Sequence, residues 1–205
     1  MRTLVLIDVQ NDFMPFGALP VPGGDEVVPV ANALAPHFDL VVATQDWHPA
    51  GHASFASSHP GVSPGDSVEI HGHPQVLWAD HCVQQTPGAS FHSGLDVGRI
   101  DFVVQKGSDP AIDSYSAFYD NDHVRDTGLA AYLREAGAQE LWMMGLATDY
   151  CVRASAIDAN GAGFDVTLVV DGCRAVDISA GDGERAIADM RSTGCRLTTS
   201  AEVLG

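Results

Sequence analysis

Short apolar segments alternate with amphipathic segments along most of this chain, and this alternation limits the folds available to it. The apolar segments are rich in Val, Leu and Ile, as are strands buried on both faces of a parallel sheet. We expect six strands, at Thr3–Val9, Asp39–Thr44, Asp101–Gln105, Glu140–Gly145, Asp165–Val170 and Cys195–Thr198. The amphipathic segments predict helices at Asp25–Ala35, Gly128–Glu135, Asp149–Ala159 and Ile178–Arg191. The sequence therefore predicts a three-layer α/β fold, with a mostly parallel six-stranded sheet flanked by helices.

One long segment interrupts this alternation. From Gln45 to about Arg99 the chain is dense in Gly, Pro, Ser and His and has little periodicity. Connections of this length are uncommon in compact domains unless they are functional or disordered. Its histidines and aromatic residues argue against a disordered linker, so we expect an insertion at about 45–99 that builds the functional site. A length of 205 residues with 45% apolar content suits one domain, residues 1–205.

Charge and cysteine content exclude several classes of protein. The chain has 10 basic and 27 acidic residues, and the net charge of -17 would repel nucleic acid and anionic membrane surfaces. The apolar run Leu4–Ile7 is too short for an export signal and ends at Asp8. The cysteines lie far apart without a CxxC pair, at Cys82, Cys151, Cys173 and Cys195. We therefore expect reduced thiols and a cytoplasmic location.

Cys151 lies where a buried strand is expected to turn into the first turn of a helix. The helix dipole and unpaired backbone N–H groups at such a position favour a thiolate and, later, an oxyanion. Asp8 ends the first predicted strand and Lys106 ends the third. Because the carboxyl ends of parallel strands share one edge of a sheet, we expect these three side chains to converge. Asp8 would take the thiol proton and Lys106 would keep Asp8 ionised, whereas without the thiol the pair would be an ordinary ion pair.

A second group of polar residues predicts a metal site. In the run Asp46-Trp47-His48, an extended backbone would turn the carboxylate and the imidazole to the same side. His81 is our choice for the third ligand, which gives a two-His, one-carboxylate set with open positions. His52 competes with this set or supports it, because its spacing would align it with His48 on a helical turn. We expect one divalent metal ion, with zinc preferred over iron or manganese.

Several longer segments resemble the nicotinamidase/pyrazinamidase family, which belongs to the isochorismatase-like cysteine hydrolases. The matching segments occur in the family's order between Thr3 and about Asp171. They are DVQNDF at Asp8–Phe13, TQDWHPAGHASF at Thr44–Phe55, GDSVEIHGHPQVLWADHCVQQTPGASFH at Gly65–His92, QKGSDPAIDSYSAFYDN at Gln105–Asn121 and GLATDYCV at Gly145–Val152.

The resemblance implies roles for individual residues and the isochorismatase-like hydrolase fold. It makes Asp8, Lys106 and Cys151 a catalytic triad, and Asp46, His48 and His81 the metal ligands. It also implies a cis peptide bond between Leu146 and Ala147, an oxyanion hole formed by the N–H groups of Ala147 and Cys151, and a pocket for a flat pyridine ring lined by Phe13, Trp78 and Tyr115. Some relatives carry another histidine further along the metal loop, so a fourth ligand stays open.

The activity that the resemblance implies is hydrolysis of nicotinamide to nicotinate and ammonia through a thioester, in NAD salvage, with pyrazinamide as a second substrate. Three alternatives stay open. The chain is a related hydrolase for another amide or for isochorismate, a zinc hydrolase in which metal-activated water attacks and Cys151 only packs, or a catalytically silent binding module. Members of the family differ in assembly, so a homo-oligomer also stays open.

Overall fold

The computed structural model describes all residues, 1–205, in eight strands and five α-helices. The strands are β1 Arg2–Ile7, β2 Leu40–Asp46, β3 Ser67–Ile70, β4 His73–Val76, β5 Phe102–Lys106, β6 Glu140–Leu146, β7 Asp165–Arg174 and β8 Arg196–Thr198. The helices are α1 Val27–Leu34, α2 Leu129–Glu135, α3 Arg153–Gly161, α4 Asp182–Ser192 and α5 Ser200–Leu204. None of these helices has the length and apolar character needed to cross a membrane.

Six strands form the main sheet in the order β5-β2-β1-β6-β7-β8, and every neighbouring pair is parallel. Helix α1 packs with α5, and α3 packs with α4, in the layers that flank the sheet. Strand β2 is buried along its whole length, as expected for a strand covered on both faces. The predicted three-layer α/β fold with a six-stranded parallel sheet is therefore confirmed.

The strand order reverses between β1 and β6. From β1 the chain proceeds outward through β2 and β5, and it then returns to β6 on the other side of β1. Open parallel sheets form a ligand-binding crevice at the carboxyl ends of the strands at such a point. Asp8 follows β1 and Cys151 lies just after β6, so the topology brings both residues to this crevice.

Two predicted helices begin differently in the structure. The segment expected to be helical from Asp149 starts with a π-helical turn at Thr148–Val152, and α3 begins only at Arg153. The segment expected from Ile178 becomes helical only at Asp182. There the Asp182 side chain accepts a 2.8 Å hydrogen bond from the Ser179 N–H, which forms a local turn in place of a first helical turn.

The insertion between β2 and β5 is ordered and includes a hairpin that the sequence does not predict, β3–β4. Backbone hydrogen bonds join distant parts of it. The His48 N–H donates to the Cys82 carbonyl at 3.0 Å, and the Gln84 N–H donates to the His48 carbonyl at 2.8 Å. The Trp78 N–H donates to the Ser54 carbonyl at 2.8 Å. This pairing places the segment around His81 beside the end of β2.

Candidate active site

Lys106 lies at the centre of the site, at the end of β5. Its Nζ is 2.9 Å from Asp8 Oδ2, 3.3 Å from Cys151 Sγ and 2.5 Å from Asp46 Oδ1. It also donates to the Ser114 carbonyl at 3.0 Å. All four of the charged or nucleophilic side chains are buried. The structure therefore brings together the three residues predicted from the strand ends, and Lys106 links them to the predicted metal ligand Asp46.

The Asp8 carboxylate is oriented by Thr44, a residue of β2 that the sequence analysis missed. Asp8 has a φ of 50°, a backbone conformation that residues other than glycine seldom adopt. Its N–H donates to Thr44 Oγ1 at 3.1 Å, and the Thr44 hydroxyl donates to Asp8 Oδ1 at 2.5 Å. Thr44 thus occupies one carboxylate oxygen and leaves Oδ2 facing Lys106.

The pKa values of the site do not favour the thiolate that the sequence analysis expects at Cys151. Burial raises the pKa of Asp8 to about 6, although the charge of Lys106 opposes this shift. Burial also raises the pKa of the Cys151 thiol well above its ordinary value and outweighs the attraction of Lys106. For Lys106, burial lowers the pKa, but the charges of Asp46 and Asp8 prevail and raise it. The resting site therefore holds a neutral thiol next to an ammonium group and a carboxyl group that titrates near neutral pH.

The backbone before Cys151 leaves a donor free. The peptide bond between Leu146 and Ala147 is cis, as the resemblance implies. The N–H groups of Tyr150 and Val152 both donate to the Ala147 carbonyl, whereas the Ala147 N–H donates to no acceptor in the structure. That free N–H lies at the wall of the same cleft as Cys151 and is available to a ligand oxygen.

Asp46, His48 and His81 form a compact buried cluster. Asp46 Oδ2 is 3.8 Å from His48 Nε2 and 3.6 Å from His81 Nε2. The Nδ1 atoms of His48 and His81 lie 2.9 Å and 2.8 Å from the carbonyls of Gly107 and Ala79, so each Nδ1 carries the proton. The Nε2 atoms of both rings therefore face Asp46, as ligand atoms oriented by an outer hydrogen bond do.

The electrostatics of this cluster fit a divalent metal ion. Burial raises the pKa of Asp46, but the charges of Lys106, His48 and His81 and the hydrogen bond with His81 together outweigh it and keep the pKa well below its usual range. Burial lowers the pKa of His81, but the hydrogen bond and charge of Asp46, with smaller contributions from the Ala79 backbone and the charge of Asp113, together outweigh burial and raise it. A cation would replace the proton held between the two groups. Two imidazoles and a carboxylate suit zinc or ferrous iron.

Another group of acidic and thiol side chains, Asp8, Asp46 and Cys151, also has ligand atoms close together. Its centre is the position of the Lys106 ammonium, which contacts all three. Lys106 therefore acts as the cation of this group, and a metal ion has no place there.

His52 and Asp113 also lie close to His48. The ring centroids of His52 and His48 are 4.4 Å apart, although this segment is not the helical turn that the spacing suggested. Asp113, which the sequence analysis missed, has its Oδ1 at 3.7 Å from His48 Nε2 and accepts from the Ser114 N–H at 2.7 Å. Its place seven residues after Lys106, within the QKGSDPAIDSYSAFYDN segment, was the available signal.

A small cleft lined mostly by apolar residues leads to Cys151. The three predicted aromatic residues line it, together with Tyr150, which the sequence analysis missed; its remaining lining includes Asp46, His81, Asp113 and Ala147. The rings of Trp78 and Tyr150 meet edge to face with centroids 4.7 Å apart. A larger and more polar cleft shares Asp113 and Tyr115 with it but touches neither the triad nor Asp46, His48 or His81.

Comparison with known proteins identifies the family to which this fold belongs. The model of the Isochorismatase domain matches residues 2–202, so the chain belongs to the isochorismatase family. It is 46% identical to a nicotinamidase of Escherichia coli (strain K12), over 98% of this chain and 96% of that protein.

Two solved structures show which members of the family the chain is similar to. An Acinetobacter baumanii nicotinamidase and pyrazinamidase has a TM-score of 0.96 and 42% identity, over 98% of this chain and 97% of its own. A Pyrococcus horikoshii pyrazinamidase, solved in complex with zinc, has a TM-score of 0.80 and 36% identity, over 97% of this chain and 98% of its own. Within its family the chain thus groups with the nicotinamidases and pyrazinamidases, which are enzymes that hydrolyse amides.

Proposed function

We propose that this protein is a metal-containing cysteine amidohydrolase that converts nicotinamide and water to nicotinate and ammonia. The observation that carries the proposal is the position of Lys106 Nζ, 3.3 Å from Cys151 Sγ and 2.5 Å from Asp46 Oδ1. Lys106 lies between a nucleophile and the candidate metal cluster, and both border a cleft lined by aromatic residues. Such a cleft suits a planar heteroaromatic amide that turns its ring nitrogen to the metal cluster and its carboxamide to Cys151.

Asp46, His48 and His81 would hold the metal, and zinc is our choice because a related pyrazinamidase was solved with zinc. The metal would supply a Lewis acid for the pyridine nitrogen of the substrate. The rings of Phe13, Trp78 and Tyr115 would hold the flat ring of the substrate between them. Binding of the ring nitrogen at one end of the cleft places the carboxamide at the other end, against Cys151.

The first half of the reaction forms a thioester. Asp8 takes the proton of the Cys151 thiol, and the sulfur attacks the carboxamide carbon. Because the thiol is neutral at rest, its ionisation depends on the carboxylate of Asp8 and the charge of Lys106. The N–H groups of Ala147 and Cys151 hold the oxyanion, a contribution typically worth about 100- to 1000-fold in rate per donor. Asp8 then passes its proton to the nitrogen as the C–N bond breaks and ammonia leaves.

The second half of the reaction returns the free enzyme. Water attacks the thioester carbon, and Asp8 accepts the proton that the water loses. The C–S bond then breaks, and the sulfur recovers its proton from Asp8. The nicotinic acid so formed releases its own proton to solvent as nicotinate. In each half of the reaction Asp8 thus accepts one proton and then donates it, which suits a carboxyl group with a pKa of about 6.

We assign the same chemistry to pyrazinamide, because its ring has the same shape and also carries a nitrogen meta to the carboxamide. The four cysteines are free and buried, in keeping with a reducing compartment. We place the enzyme in the cytoplasm and its reaction in NAD salvage.

The test is ammonia release from nicotinamide by zinc-loaded protein, measured beside Cys151→Ala and a chelator-stripped sample. We expect turnover by the loaded wild type and its loss in both controls. Retained turnover in Cys151→Ala would replace the thioester with attack by metal-activated water. No turnover by folded, zinc-loaded wild type would reject nicotinamide, and a wider panel of amides would follow.

A further inference from the structure

His52 has a buried hydrogen-bonding atom without a partner. The residue is fully buried, and its Nε2 makes no hydrogen bond of good geometry, although the Ile112 backbone lies nearby. Burial of an unpaired polar group is unfavourable, so such an atom points to an occupant. The ligand atoms of His52, His48 and Asp113 all lie within 4.8 Å of one another, so one small molecule between them, in what we call the polar space, could contact all three.

The hydrogen bonds of His52 fix which ring nitrogen carries its proton. The Ser54 N–H donates to His52 Nδ1 at 3.1 Å, and a backbone N–H can only donate. Nδ1 is therefore the acceptor, and the proton of the neutral ring is on Nε2. Ser54 Oγ, 2.8 Å from the same Nδ1, is compatible with this arrangement because a hydroxyl can donate as well. His52 thus presents an N–H to the polar space, and an N–H cannot bind a cation.

Asp113 presents an acceptor to the same space. Its Oδ1 is 3.7 Å from His48 Nε2, yet Asp113 does not join the cluster of Asp46, His48 and His81, whose ligand atoms all lie within 4.8 Å of one another. A second metal ion here is also disfavoured, because the lone pair of His48 Nε2 serves the first cluster and His52 offers a proton. The occupant must accept from His52 and donate to Asp113, and a water molecule does both.

We propose that His52 and Asp113 hold one buried water molecule beside the metal cluster, with His52 as its donor and Asp113 as its acceptor, and that neither residue is a metal ligand. The water holds the Asp113 carboxylate in place, and Asp113 Oδ1 lies 3.7 Å from His48 Nε2, so its charge favours a cation there from outside the coordination sphere. This inference rests on the proposed metal site but not on the proposed reaction. Loss of such outer partners typically weakens metal affinity about 10- to 100-fold.

The experiment measures zinc affinity by competition with a chromophoric chelator, so activity does not enter. His52→Phe keeps the ring but removes the donor, and we expect zinc to bind with full stoichiometry and about 10- to 100-fold weaker affinity. His52→Gln can place an amide N–H near the position of Nε2, and we expect most of the affinity to return. His81→Ala is the matched loss of a ligand and should abolish stoichiometric binding.

Two further readouts separate the alternatives. If one water joins His52 to Asp113, the double variant His52→Phe/Asp113→Asn loses no more affinity than the weaker-binding single variant, whereas additive losses would overturn the proposal. The absorption of bound cobalt should be the same in wild type and His52→Gln. A changed cobalt spectrum, or loss of stoichiometry as in His81→Ala, would make His52 a ligand instead. Unchanged zinc affinity in His52→Phe would also refute the proposal, and a wild type that binds no zinc would reject the metal site itself.

Discussion

The triad and the metal cluster lie side by side, but the chain builds them in different ways. Asp8, Lys106 and Cys151 follow three strands of one parallel sheet, so the register of the sheet fixes their spacing. The pairing of β2 with β5 even aligns Asp46 with Lys106. His81, in contrast, comes from an insertion, and hydrogen bonds between loops, including those of Cys82 with His48 and Asp12, bring it into place.

The triad is thus positioned by regular secondary structure, whereas the metal cluster depends on contacts between loops. Gln10 lies at the junction of the two. Its side chain donates to the Asp46 carbonyl and accepts from the Asp46 N–H, both at 2.8 Å, so it fixes the backbone at the end of β2. We therefore expect substitutions to separate chemistry from metal binding, except at the few residues that serve both regions.

The largest expected effect tests the triad alone. Cys151→Ala should reduce turnover on the order of 10⁶-fold, as loss of a nucleophile does in other hydrolases. Zinc content should stay at the wild-type level, because Lys106 occupies the position between Cys151 and Asp46. Ammonia release and metal analysis check both statements, with Cys173→Ala as a control at a buried cysteine away from the triad. Zinc loss in Cys151→Ala would contradict the separation of the two regions.

The next effect tests the metal cluster alone. His81→Ala should lose stoichiometric zinc and at least about 100-fold in turnover, because the substrate ring loses its anchor. The rate at which iodoacetamide alkylates Cys151 should change little, since Asp8 and Lys106 stay in place. Mass spectrometry of the alkylated thiol measures that rate. A large change in it would mean that the two regions are not independent.

The same division explains what the sequence could and could not predict. The strands and the residues at their ends follow from apolar periodicity and from the rule that parallel strands end at one edge. Asp8 and Lys106 could therefore be predicted from the sequence. Thr44 and Gln10 act through hydrogen bonds to Asp8 and Asp46, each 36 residues away in the chain. Asp113 approaches His48, which is also distant in the chain. No local pattern encodes such pairings. The raised pKa of Cys151 likewise depends on burial, which the position at a helix start does not reveal.

Gly107 offers a test of the contact between the two regions. It directly follows Lys106 and has a φ of 65°, and a Cβ atom there would lie 2.4 Å from His48 Cε1. Gly107→Ala should therefore displace the His48 ring and weaken zinc binding by about 10- to 100-fold. Gly51→Ala is the matched control, because its φ is 73° but its Cβ would meet open space. An equal loss of zinc affinity in the two variants would show that backbone strain, and not displacement of His48, causes the loss. Wild-type affinity in Gly107→Ala would show that His48 tolerates the added Cβ.

The smallest expected effect concerns Thr44, which orients the triad without contact to the metal ligands' side chains. Deprotonated Asp8 is the base, so kcat/KM should fall as pH drops below about 6. The Thr44 hydroxyl stabilises the carboxylate and lowers the pKa of Asp8, so Thr44→Val should raise that pKa. We expect the acidic limb of the pH profile to move upward by about one unit, the equivalent of one charged hydrogen bond. Thr44→Ser should retain the wild-type limb, since it keeps the hydroxyl. A limb in Thr44→Val that coincides with that of Thr44→Ser would remove Asp8 as the group that titrates, and with it the assignment of the base.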